Sequence, residues 1–171
     1  MLFEGGYTRG MKRQVLSLFP AEFRKNPVHF QALGLALVFT VLALAQLFTF
    51  EHFGEVTLGY GLPGGMFVAT LLAFLLPAAE IISLPYLLSM RLSANMYFVS
   101  RISVIVTGSL WVCVAVWTNL TGNADTNAGI FGATLHTPNQ WWFIIFVLFL
   151  FWASWLMYTA KPHRGYLHRN R

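Results

Sequence analysis

The chain has 171 residues, 57% of them apolar and only 10% charged, with a net charge of +5. Soluble domains usually carry about 25% charged residues, so this composition excludes a disordered chain and an ordinary cytosolic enzyme. A single cysteine excludes a disulfide-stapled mini-domain. The basic balance would suit nucleic acid only as a stripe with interleaved aromatics, and none exists outside the terminal segments, so no nucleic-acid partner is expected.

Residues 1–29 form a basic leading segment. Between Met11 and Phe23, basic residues alternate with Val15, Leu16, Leu18, Phe19 and Phe23, which predicts a short helix on the inner membrane face, ended or kinked by Pro20. Asn26-Pro27 then fits a helix start, with Asn as N-cap and Pro at the first helical position. Crossing ~30 Å of hydrocarbon takes roughly 20 apolar residues. Four stretches qualify, at about 30–50, 65–90, 102–120 and 140–160, and together they make one domain over 30–160. Apolar residues run all round each of them, as expected for helices bounded by lipid and by one another. Ala43-Leu44-Ala45 looks like a signal-peptide cleavage site, but the apolar run continues to Phe50 and the leader is long, so the first stretch is expected to be retained. The segment from Glu51 to Gly64 is Gly-rich and predicts a turn, whereas Arg91–Arg101 is a short connection that makes spans two and three an antiparallel hairpin. Trp141 and Trp142 at one end of span four, with Trp155 and Tyr158 at the other, form an aromatic belt. Residues 161–171 form a basic tail suited to anionic lipid. The fold expected is all-α: a four-span antiparallel bundle with an N-terminal interfacial helix.

The bases are distributed unevenly. Arg9, Lys12, Arg13, Arg24 and Lys25 precede span one, Arg91 and Arg101 flank the central loop, and Lys161, Arg164, Arg169 and Arg171 follow span four. The other two loops hold none, so the positive-inside rule places both termini in the cytoplasm, which only an even number of spans allows. Arg101 is expected to snorkel to the inner headgroups.

Glu80 alone among the charged residues lies deep in a span. A carboxylate there costs roughly 2.5–3.5 kcal/mol on insertion scales, so it should face the bundle interior. No Lys or Arg lies near that depth, so it is expected to be protonated or to share hydrogen bonds with polar groups of neighbouring helices. Ser109, Cys113 and Ser154 lie at suitable depths for this polar core. Such a group can relay protons or touch a quinone or substrate headgroup; equally, it can be a buried hydrogen bond that sets helix packing. Pro77 and Pro85 each remove a backbone donor and should kink span two, freeing carbonyls near residues 73 and 81 and making this span the expected wall of any cavity. Glu51, His52, Glu55, Asp125 and His136 lack a recognised metal-ligand spacing, and no histidine lies mid-membrane to ligate haem, so neither group is expected.

Three stretches taken together resemble a known family. They are Leu47-Phe48-Thr49-Phe50-Glu51-His52-Phe53, the run from Glu80 through Pro85 to Ser93, and Asn127-Ala128-Gly129-Ile130-Phe131-Gly132. The pattern looks like the DoxX-like superfamily of four-helix membrane proteins, including its MauE branch, over about residues 30–160. In that branch the last motif reads Asn-Cys-Gly-Cys-Phe-Gly. Here Ala128 and Ile130 stand at the cysteine positions, which removes the thiol pair needed for disulfide exchange. The resemblance implies a bacterial cytoplasmic-membrane protein associated with redox or envelope processes. It carries over the scaffold, the Asn127, Gly129, Phe131 and Gly132 turn, and the glutamate in span two. The function expected is that of a non-catalytic accessory, with a membrane or extracytoplasmic redox protein as partner. The alternatives are a carrier of a quinone or small lipophilic ligand beside Glu80, between spans two, three and four, and a structural subunit of a larger membrane complex.

Overall fold

The computed structural model describes residues 27–90, 92–122, 127–137 and 141–160. The expected interfacial helix, the Asn26 cap, Asp125 and the basic tail lie outside these residues. The described chain is all-helical: α1 (Pro27–Phe48), α2 (Phe50–Leu58), α3 (Gly65–Leu87), α4 (Ala94–Leu120) and α5 (Trp141–Ala160). Four of these, α1, α3, α4 and α5, are long and apolar enough to cross a membrane.

Consecutive long helices are neighbours. Helix α3 packs between α1 and α4, α4 packs on α5, and the seam that closes the ring between α5 and α1 is the loosest. This is an antiparallel up-and-down bundle. Each helix turns one stripe inward at three- and four-residue spacing: Ala32, Leu35, Ala36, Phe39, Leu42, Ala43 and Gln46 on α1, for example, or Phe143, Val147, Leu150, Ser154 and Met157 on α5. The opposite faces remain apolar, with Leu37, Leu44, Phe67, Phe74, Ile145 and Phe149 all exposed. The buried polar side chains Gln46, Glu80, Ser83, Ser100, Thr107 and Ser154 instead lie inside the bundle. Apolar groups outside and polar groups inside is the arrangement a hydrocarbon solvent selects.

Two boundaries differ from the sequence expectation. The Gly-rich stretch after span one is not a simple turn, because α2 continues the chain as a helix after a break at Thr49. Thr49 Oγ1 bonds back to Ala45 O at 3.1 Å and also accepts Ala133 N–H at 2.9 Å, so the break lies where a loop docks. Helix α4 begins at Ala94 rather than near Ile102, with Ser93 Oγ as its N-cap on Met96 N–H. Arg101 therefore lies inside a helix, since a long charged side chain does not interrupt backbone bonding. Its Nη2 donates to Tyr158 O at 2.9 Å and its guanidinium lies 4.4 Å from the Tyr158 ring centroid. It ties α4 to the last turn of α5, where a cation offsets the helix dipole.

Pro77 and Pro85 both lie within α3. Beside Pro85, Ser100 Oγ of α4 accepts Tyr86 N–H at 3.0 Å and donates to Ser83 O at 3.4 Å. The neighbouring helix thus braces the turn that the proline interrupts. Tyr86 then reaches across to α5, donating its hydroxyl to Met157 O at 2.9 Å. Gly108 brings α4 and α5 together: a Cβ there would lie 3.0 Å from Phe151 Cα and 3.2 Å from Ser154 Oγ.

Candidate functional site

Glu80 is wholly buried on the inward stripe of α3. Its Oε1 accepts Trp111 Nε1–H of α4 at 3.0 Å and Gln46 Nε2–H of α1 at 3.3 Å. Three spans thus meet at one carboxylate oxygen. Gln46 Nε2 also lies 3.4 Å from Ile130 O, which links the site to the loop between α4 and α5. Trp111 is fixed from behind by an edge-to-face contact with Phe143 of α5, with centroids 6.2 Å apart. Glu80 Oε2 and Gln46 Oε1 have no hydrogen-bond partner among the described residues.

The loop enters the mouth of the bundle, with Ala128, Gly129, Ile130 and Gly132 all buried. A buried loop must satisfy its own backbone. Asn127 does much of this. Its Oδ1 accepts Gly129 N–H and Thr137 N–H, each at 3.1 Å, and its Nδ2 donates to Gly132 O at 3.3 Å. Tyr60 donates its hydroxyl to Ala128 O at 2.8 Å; burial pushes the Tyr60 phenol up from its ordinary pKa, which keeps it a donor. Both glycines of the motif adopt positive φ, +68° at Gly129 and +60° at Gly132. Neither has room for a side chain. A Cβ at Gly129 would strike the Tyr60 hydroxyl, and one at Gly132 would strike Thr49 Oγ1 and lie 2.8 Å from Ala45 O.

The structure brings together two features that lie far apart in sequence, Glu80 and the Asn127–Gly132 turn, through Gln46. It does not place the expected polar partners around Glu80. Ser109 is half-buried and donates to Ile105 O of its own helix at 2.9 Å. Cys113 is exposed and does not reach the polar core. Ser154 is buried but sits against Gly108 rather than bonding Glu80. Ser109 and Cys113 share the depth of Glu80 but not the inward face of α4: each is two positions from Trp111 and so points about 200° away around the helix. Gln46 and Trp111 were missed. Gln46 was detectable as an amide in line with Phe39, Leu42 and Ala43, and Trp111 as a tryptophan far from either membrane interface.

The remaining candidates do not converge. His52 Nδ1 and Glu55 Oε2 lie 3.7 Å apart on the exposed face of α2. Among the described residues no three His, Cys, Asp or Glu side chains come together to hold a metal. The fold and the inward polar site define a multi-pass membrane protein. No family model, curated protein or solved structure matches the chain.

Proposed function

We propose that the chain is a DoxX-like accessory to a redox or envelope process of a bacterial cytoplasmic membrane, with both termini inside and no catalysis of its own. In this reading Glu80 is a latch that holds three spans and the outer loop in one arrangement, so that the loop face is presented rigidly to a membrane or extracytoplasmic redox partner. The observation that carries it is the enclosure of Glu80: the carboxyl is 0% exposed, and its bonds go to Trp111 and to Gln46, which meets Ile130 O. A quinone or other lipophilic ligand beside Glu80 would need access to that carboxyl.

Two substitutions separate these roles. A latch tolerates Glu80→Gln, because the glutamine carbonyl can still accept from Trp111. Glu80→Leu strips the acceptor from the indole and from Gln46, costing ~1–3 kcal/mol for donors left unpaired. Thermal unfolding in mild detergent reads both, and the same preparations are assayed for co-purifying quinones and proteins. A quinone bound to the native chain and lost in the Glu80→Gln variant would refute the accessory reading.

A further inference from the structure

Two oxygens at the Glu80 site have no hydrogen-bond partner among the described residues, Glu80 Oε2 and Gln46 Oε1, and both residues are wholly buried. The orientation of the Gln46 amide follows from its neighbours. Its Nε2 lies 3.3 Å from Glu80 Oε1 and 3.4 Å from Ile130 O, so a flipped amide would set oxygen against oxygen. Gln46 Oε1 is therefore left as an acceptor. Trp111 Nε1 can only donate, and it too donates to Glu80 Oε1, at 3.0 Å. That oxygen takes both donors and behaves as the carbonyl of the group. Glu80 Oε2 is the oxygen free to carry a hydrogen. A hydrogen there turns one of two unpaired acceptors into a donor for the other, on groups already joined by the Gln46–Glu80 bond. One proton thus answers both atoms.

An ionised Glu80 would need a counter-charge, since an uncompensated buried charge is strongly destabilising. None of the described elements around it supplies one. On α1 the titratable side chain is His29, seventeen residues before Gln46 and so ~25 Å along the helix. On α4, Arg101 precedes Trp111 by ten residues, ~15 Å, and is held by Tyr158 of α5, while Cys113 is exposed. Tyr97 of α4 packs edge-on against Tyr86 of α3, whose hydroxyl goes to Met157 O. Glu51, His52 and Glu55 of α2 and His136 of the loop are exposed, and Tyr60 bonds Ala128 O. A water bridging the two oxygens would leave the charge in place, and a metal ion needs a larger ligand set than one carboxylate and an amide. Above the pair, Ala128, Gly129 and Ile130 are buried in the bundle mouth, with Ile130 O on Gln46. We propose that Glu80 and Gln46 form a binding site for one proton, carried on Glu80 Oε2 towards Gln46 Oε1 and closed off by the Asn127–Gly132 loop. This rests on the reading of Glu80 as an enclosed latch and adds what the latch holds.

The test is infrared spectroscopy of the full chain in mild detergent at ~pH 7.5, where exposed carboxyls are ionised. The native protein is expected to show the carbonyl band of one un-ionised carboxylic acid per chain, displaced by ¹³C-glutamate labelling. That measurement depends on no variant. The band should vanish in Glu80→Gln, and Gln46→Leu should move it to higher wavenumber by taking a donor from the carbonyl. Transfer to D2O should shift the band slowly in the native chain. The shift should come about tenfold faster in Gly132→Ala, which loosens the loop. Absence of the acid band, its persistence in Glu80→Gln, a band unmoved in folded Gln46→Leu, or equally fast exchange in the native chain and Gly132→Ala would each overturn the proposal. An ionised Glu80 would leave the latch itself standing, because Oε1 accepts the same two bonds in either charge state. Loss of a bound quinone in Glu80→Gln would overturn the latch instead.

Discussion

Gly132→Ala is expected to loosen the loop from the bundle mouth, and its cost divides into two parts. The first is conformational. An L residue at φ +60° pays ~1–2 kcal/mol for the left-handed region. The second is steric. The added Cβ meets Thr49 Oγ1 and lies 2.8 Å from Ala45 O and 3.1 Å from Gln46 Cα. Two of these three atoms are backbone of α1 and cannot rotate away, so the loop must retreat. Overpacking of this kind costs ~1–3 kcal/mol. Retreat also weakens the Ala133 N–H bond to Thr49 and the Ile130 contact with Gln46. Gly122 supplies the control: it has φ +76°, but a Cβ there meets nothing within 4 Å. Gly122→Ala should therefore pay only the conformational part, and the excess in Gly132→Ala, ~1–3 kcal/mol, reports docking of the loop. Thermal unfolding in mild detergent measures both, and hydrogen–deuterium exchange across residues 127–133 should rise only in the Gly132 variant. Equal destabilisation of the two variants, with unchanged exchange, would refute the reasoning.

Two further outcomes test the packing around the site. Gly108→Leu should destabilise by ~1–3 kcal/mol, because its side chain meets the Phe151 backbone and drives α4 from α5; unfolding at the native temperature would contradict that close approach. Ser100→Ala should cost ~1–2 kcal/mol by removing the acceptor of Tyr86 N–H beside Pro85. Faster exchange of the Tyr86 amide, with the remainder of α3 unchanged, is the signature to look for.

The four spans were legible in the sequence because a helix in hydrocarbon satisfies its own backbone bonds, so length and apolarity suffice to mark it. Pro27 at the start of α1 and the inward position of Glu80 follow from equally local rules: a proline tolerated at the first helical turn, and a carboxylate excluded from lipid. The continuation into α2 and the early start of α4 at Ala94 were less legible, because glycine and arginine weaken an apolar signal without stopping a helix.

What only the tertiary structure decided is which groups Glu80 meets. That depends on the rotation of each helix about its axis, and a 100° step per residue sets Trp111 on the inward stripe while Cys113 faces out. It also decided that the Asn127–Gly132 turn and Glu80 belong to one site. Their link is Gln46, on a third element, and no local pattern in the chain encodes a contact made by docking a loop against the break at Thr49. Local chemistry set the spans and the residue that must be hidden; packing among separate elements set its partners.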